Sequence, residues 1–168
     1  MLRAFKGRFP HVDASAYVDE SAQVIGDVDI GAESSVWMNV VLRGDVNHIR
    51  IGKRTNIQDL TLLHGMTRTH PTVLGDEVTV GHSAIIHGAT VEDRVLVGMG
   101  AMLLNGVYVE RDCVIAAGTL LTEGTRIPAR SMVMGRPGRV KRALTDMEVA
   151  EIRWYSDAYV NYRLDYLK

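Results

Sequence analysis

The segment VEDRVLVGMGAMLLNGVYVERDCVIAAGTLLTEGTRIPARSMV, residues 91–133, carries an aliphatic side chain at every sixth position: Val91, Val97, Leu103, Val109, Ile115, Leu121, Ile127 and Val133. Two residues before each stands a small or β-branched one: Ala89, Val95, Ala101, Val107, Cys113, Thr119, Thr125 and Ser131. A step of six is too long for a helical period and is three times the strand period. It fits a short strand followed by a corner, with the aliphatic pointing inward and the small residue fitting beside it. Three such steps close one coil of about 18 residues and return the chain to the same face about 4.8 Å further along. The repeat predicts an all-β solenoid, a parallel β-helix.

The same step runs earlier through Val12, Val18, Val24, Ile30, Val36 and Leu42. It breaks after Leu42 and resumes with Ile51, Ile57 and Leu63. A second break precedes Leu74, Val80 and Ile86, and a one-residue slip separates Ile86 from Val91. Gly65 to Thr72, polar and irregular, reads as a protruding loop. Glycine follows many inward residues, as in Ile30-Gly31, Ile51-Gly52 and Val97-Gly98, where it is expected to supply corner conformations that a Cβ resists. Irregular stretches in so strict a pattern are where function is expected.

The solenoid is expected to occupy residues 1–136, and a helical segment packed on it residues 137–168. Thr145 followed by Glu148 reads as a capping box. Ile152, Tyr155, Tyr159, Tyr162 and Tyr166 lie on one stripe at steps of three and four, the face expected to pack on the coil.

The chain has 168 residues, enough for one domain with a real core, and a formal net charge of −1. That balance gives no electrostatic reason to expect nucleic acid or an anionic membrane as partner. No apolar run reaches the roughly 18 residues of a membrane span, and the N-terminus lacks the apolar segment of a secretory signal. The single cysteine, Cys113, excludes an internal disulfide and sits in a packing slot of the repeat. A cytoplasmic protein is expected.

Chemistry concentrates between residues 43 and 87. His64 directly follows the inward Leu63, His87 follows the inward Ile86, and His82 lies two residues after the inward Val80. All three therefore point away from the core. The spacing of His64 and His82 is about one coil. Three neutral imidazoles suit a tetrahedral metal site with one position open to water. Asn56 and Gln58 flank the inward Ile57 and can reach an outward-facing site, where an amide can hydrogen-bond a bound water. Arg43, Asp45 and Asp59 can form ion pairs that fix a subunit interface. His11, His48 and His70 lack a comparable relation to the repeat and read as surface residues.

Leu42-Arg43-Gly44-Asp45, Asn56-Ile57-Gln58-Asp59, His64, and Gly81-His82-Ser83-Ala84-Ile85-Ile86-His87-Gly88 together resemble the γ-class carbonic anhydrases and their bacterial relatives, over nearly the whole chain. The resemblance implies a left-handed β-helix, although parallel crossovers are otherwise right-handed. It also implies a homotrimer with metal sites between subunits. His64 and His87 of one subunit and His82 of its neighbour would bind zinc, or iron or cobalt. Gln58 and Asn56 would orient the bound water, and Arg43 would pair with Asp59 across the interface. Tyr159-Val160-Asn161 is similar to the family's Tyr-Val-Asn, which places Tyr159 and Asn161 near the site. The implied reaction is the reversible hydration of carbon dioxide to bicarbonate by metal-bound hydroxide. Val46 and Thr67 stand where the best-characterised pattern has acidic residues, so the usual glutamate proton shuttle is missing and turnover is expected to be low.

Two other readings keep the same coil. One is a hexapeptide acyl-CoA transferase or thioesterase, whose tail resembles Met134-Gly135-Arg136-Pro137-Gly138-Arg139-Val140 and which generally needs one histidine as general base. The other is a non-catalytic trimeric scaffold. Three outward histidines attended by Gln58 favour metal over the first.

Overall fold

A computed structural model describes residues 1–167 as a left-handed parallel β-solenoid of about seven turns with one C-terminal helix. Each coil contributes strands of mostly two or three residues, and the strands stack in register from coil to coil. One face stacks Leu62–His64, Ile85–His87, Met102–Leu103 and Leu120–Leu121. The next stacks Thr72–Leu74, Thr90–Val91, Tyr108–Val109 and Arg126–Ile127. The long strand Val41–Ile51 runs through both. The third face climbs from Tyr17–Val18 to Ser131–Gly135 and ends on Gly138–Ala143, which pairs antiparallel and closes the stack.

The inward aliphatics form continuous buried columns. Val97, Ile115 and Val133 are fully shielded and pair in sequence, each with its counterpart one regular coil on. The phase breaks are changes of coil length. Leu42 pairs with Leu63, beyond the regular step, because Val41–Ile51 bulges against Gln23–Ile30 between the Gly26–Gly44 and Val28–Ile49 pairs. Leu63 pairs with Ile86, further still, because the intervening coil carries the exposed loop closed by a Met66–His70 bridge. Val80 pairs with Val97, just short of the regular step. Both long coils pass through the region of candidate chemistry.

The corners work differently from the sequence expectation. The left-handed positions fall two residues after the glycines, on Glu33, Arg54 and Gly100, which follow Gly31, Gly52 and Gly98. The glycines are needed for close approach instead. A Cβ on Gly52 would lie 2.4 Å from the Gly75 carbonyl oxygen, and one on Gly98 would lie 2.5 Å from the Ala117 nitrogen.

One corner stacks alternating charges: Glu33, Arg54, Glu77, Arg94, Asp112 and Arg130, all with φ between 53° and 59°. Arg54 reaches Glu33 at 2.9 Å, and Arg94 clamps Asp112 with Nε and Nη2 at 2.7 and 3.2 Å. Ion pairs here compensate each other where single charges would repel along the stack.

The helix Asp146–Tyr166 begins with the expected box: the Thr145 hydroxyl accepts from the Glu148 amide, and the Glu148 carboxylate accepts from the Thr145 amide. Its buried line differs from the tyrosine stripe. Ile152, Ser156 and Arg163 face inward, while Tyr155 and Tyr159 are half-buried and Tyr162 and Tyr166 largely exposed. Ser156 is small enough to bring its hydroxyl to the Arg54 carbonyl at 2.7 Å, and Arg163 donates to the Ser15 carbonyl at 2.9 Å. The helix is thus pinned along its length across the third face.

Candidate functional site

The bulge in Val41–Ile51 and the long coil above it bring Arg43, His64 and His87 into one register column, each beside the next. Nδ1 of His64 and Nε2 of His87 are 3.1 Å apart. Each ring is held from its other nitrogen. His87 Nδ1 donates to Asn105 Oδ1 at 2.8 Å, and the amide's orientation is set because its Nδ2 donates to Glu123 at 2.9 Å. His64 Nε2 donates to Asp45 Oδ1 at 2.8 Å, and Arg43 donates to the other Asp45 oxygen. Burial pushes the Asp45 carboxyl up, but the bonds from His64 and Arg43 outweigh it and hold it below the usual carboxylate range.

Those outer bonds leave the inner nitrogens as facing lone pairs. Two lone pairs at 3.1 Å repel unless a cation lies between or beside them; the Arg43 guanidinium, 3.5 Å from His64 Nδ1, is the nearest. Two nitrogens bound at ~2.05 Å to one tetrahedral ion stand about 3.3 Å apart, close to the separation here. The pair also has the outer support usual for metal-ligating imidazoles: one carboxylate and one amide.

His82 is elsewhere. It lies in the corner before strand Ile85–His87, whereas His87 ends that strand, so about 10 Å of extended chain separates them. The expected alignment of His64 with His82 does not hold, because the coil that follows His64 is longer than the regular repeat. His87 stacks on His64, and His82 lies on the corner above Asp59, whose Oδ2 is 2.9 Å from its Nδ1. Within one chain, then, Arg43 pairs with Asp45 and Asp59 with His82. Among the described residues no three His, Cys, Asp or Glu side chains gather into a metal-holding group.

Gln58, His82 and Tyr159 do meet, in a cleft of about 320 Å³ whose other walls include Leu96, Met99 and Tyr155. Asn56 does not reach outward as expected. It is buried beneath the helix, where it accepts from Gln58 Nε2 at 3.1 Å and donates to Thr79 at 2.8 Å. It holds Gln58 in place. Burial raises the Tyr159 phenol, with the Asp59 charge and Tyr162 adding to it, so the hydroxyl stays protonated and can donate. Asn161 is exposed and does not line that cleft. Sequence reasoning missed Asn105, because strand Ile85–His87 pairs with Met102–Leu103 at a step one short of the regular repeat, so that Asn105 lies one place beyond the His87 column and reaches the ring through its side chain.

Residues 71–105 and 90–123 match the family described as hexapeptide repeat of succinyl-transferase. The chain is 51% identical to "Gamma carbonic anhydrase 2, mitochondrial" of Arabidopsis thaliana over 90% of its own length, and spans only 56% of that protein. It is 39% identical to "Carbonic anhydrase" of Geobacillus kaustophilus, covering 95% of this chain and 87% of that one. A crystal structure of a hexapeptide transferase family protein from Anaplasma phagocytophilum superposes with a TM-score of 0.95 at 37% identity, over 98% of this chain and 97% of that one. Repeat, register and these likenesses agree: the chain belongs to the γ-class carbonic anhydrase family of hexapeptide-repeat β-helix proteins.

Proposed function

We propose that this chain acts as a homotrimeric metalloenzyme that hydrates carbon dioxide reversibly to bicarbonate. The observation that carries the reading is the 3.1 Å approach of His64 Nδ1 to His87 Nε2, each ring tied from its other nitrogen, with His82 on the corner at the other end of the strand. A second copy that presents its own His82 beside the first copy's pair completes a three-imidazole set. Val41, Leu62, Ile85, Met102 and Leu120 form a half-buried aliphatic column on the face between these histidines, a surface suited to such a contact. Zinc, or iron or cobalt, held there supplies the Lewis acidity that makes water nucleophilic near neutral pH.

The chain's own residues do the rest. Asn105 and Asp45 fix which nitrogens of His87 and His64 are free. Gln58, anchored by Asn56, presents its amide on the His82 side and orients water or bicarbonate. The protonated Tyr159 hydroxyl offers bicarbonate a donor. In the neighbour's frame Arg43 is the natural partner for Asp59. Val46 and Thr67 are exposed and carry no carboxylate to relay a proton, so turnover is expected to depend on buffer concentration. We propose the cytoplasm as its compartment, a reducing environment that suits a chain whose single cysteine, Cys113, is buried and unpaired. No helix among the described residues is long and apolar enough to cross a membrane.

Metal analysis, sedimentation and stopped-flow hydration of carbon dioxide test the proposal on protein loaded in turn with zinc, iron and cobalt. One metal per subunit, a trimer and measurable hydration are expected. His82→Ala should lose the metal and keep trimer and fold; a full metal complement in that variant would refute the shared site. The apolar cleft beside His82 exceeds what carbon dioxide needs, which keeps thioester hydrolysis in view. A panel of CoA thioesters assayed on the same protein decides between the two chemistries.

A further inference from the structure

The loop that lengthens the coil after His64 is tied to both supports of the histidine pair. On the Asp45 side, Asn47 Nδ2 donates to the Met66 carbonyl at 2.9 Å. On the His87 side, the Gly88 amide donates to the Thr72 hydroxyl at 3.0 Å, and that hydroxyl donates to the His64 carbonyl. Between these ties Met66 pairs with His70, whose side chain turns back over the neighbouring coils. A Cβ on Gly88 would lie 2.9 Å from His70 Cβ and 2.5 Å from Asn105 Oδ1, so those two atoms stand side by side. A Cβ on Gly106 would lie 3.2 Å from His70 Nε2 and 3.4 Å from its Cδ2. The ring therefore covers the Gly106 backbone, with its stem beside the amide oxygen that accepts from His87. Gly124, one regular coil beyond Gly106, faces open space instead. His70 is half-buried, although Met66, Thr67, Arg68 and Thr69 before it are all exposed.

The His87 support needs such cover more than the His64 support does. A carboxylate offers only acceptors, so Asp45 directs His64 whichever way it turns. An asparagine amide has an acceptor end and a donor end of nearly the same shape. Turned by 180°, Asn105 would offer Nδ2 to His87 Nδ1, and the imidazole proton would move to Nε2, the atom facing His64. Glu123 opposes that turn by accepting from Nδ2, but it is exposed, and a bond at an exposed edge competes with water. A ring beside Oδ1 keeps water from the His87–Asn105 bond and lowers the dielectric around it, which strengthens the bond. It also narrows the space in which the amide could turn.

We propose that His70 is a positioning residue, which packs over Gly106 and against Asn105 so that the amide oxygen stays on His87 Nδ1 and the proton stays off His87 Nε2. It acts through Asn105 and touches neither substrate nor metal. The loop that lengthens the coil thus has a use: it carries a ring from the coil of His64 across to the coil of Asn105. The consequence for metal affinity rests on the reading of His64 and His87 as ligands. The tautomer that His70 fixes does not, because it belongs to the metal-free chain.

The test reads the His87 ring directly. Metal-free full-length protein, as assembled in solution and labelled with nitrogen-15 histidine, is compared with His70→Ala and His70→Phe by long-range proton–nitrogen correlation. The wild-type His87 ring is expected in the Nδ1–H form. His70→Ala should give a mixture with the Nε2–H form, and His70→Phe, which restores a ring without its nitrogens, should return the wild-type pattern. Zinc affinity by chelator competition should fall about fivefold in His70→Ala and less than twofold in His70→Phe. That is less than the ~10–100-fold typical of losing a direct partner of a ligand, because His70 acts one step further out. Circular dichroism unchanged in both variants separates the effect from a loss of fold. A His87 tautomer unaltered in His70→Ala would overturn the proposal, and so would a His70→Phe protein that behaves like His70→Ala. Wild-type protein that binds no zinc would end the metalloenzyme reading and leave the tautomer comparison to decide the role of His70.

Discussion

His64 and His87 face each other across adjacent coils at 3.1 Å, each ring anchored from behind, the first by Asp45 and the second by Asn105. The anchors differ in consequence. Asp45 is also gripped by Arg43, whereas the far nitrogen of His87 relies on the Asn105 amide oxygen. Asn105→Leu keeps the volume and removes the acceptor, freeing the His87 ring to rotate and change tautomer. Loss of such support typically weakens a metal site about 10–100-fold. Zinc affinity measured by chelator competition should fall by about that factor with the far-ultraviolet circular dichroism unchanged. An unaltered affinity would place His87 outside the site.

Gly98 and Gly118 separate the two uses of glycine. A Cβ at Gly98 would meet the next coil's backbone at 2.5 Å, where no flexible side chain can yield. At Gly118 the space is open, but φ is +68°. Gly98→Ala should cost about 3 kcal/mol through forced separation of coils, and Gly118→Ala about 1 kcal/mol through backbone strain. Urea midpoints of the two variants check the ordering. Equal losses would mean that coil spacing is softer than the stacked register suggests.

The repeat made the solenoid legible because the same side chain recurs at the same place on every coil, so errors of register cannot accumulate unseen. His64 and His87 were legible for the same reason: each directly follows an aliphatic whose inward direction is fixed. What the period could not reveal was the coil length where it fails. The one-coil spacing of His64 and His82 suggested a stack, but the loop from Gly65 lengthens that coil and puts His87 on His64 instead. Asn56 shows a different limit. Alternation placed it correctly off the core, yet the helix covers that face, and helix docking depends on Ser156 and Arg163, which no tyrosine stripe foretells.

Along the charged corner, Arg94 and Asp112 form a well-shielded pair, with side chains 22% and 12% exposed. Arg94→Ala leaves a carboxylate with little solvent and should cost about 2 kcal/mol. The double variant Arg94→Ala/Asp112→Ala should recover part of that loss, because the stranded charge goes too. Chemical unfolding of the two singles and the double measures the coupling. Strict additivity would mean that the corner charges act independently and not as a ladder.

Glu148 gives the helix a pH signature. The Arg142 fork at 2.6 and 2.8 Å is the largest influence on its carboxyl, followed by the bond from the Thr145 amide, and together they lower it from 4.5 to about 2. A carboxyl depressed in the folded state stabilises that state above its unfolded value and stops doing so as pH falls through the folded one. The cap should therefore hold above about pH 4.5 and weaken progressively down to about pH 2. Amide exchange at the first turn, from Asp146 to Val149, should accelerate across that window while exchange in the coil columns does not. Glu148→Gln keeps an acceptor for the Thr145 amide but carries no charge, so its first turn should exchange faster at neutral pH and show no further change in acid. A helix start insensitive to pH in the wild-type chain would mean that the box is held by the Thr145 hydroxyl alone.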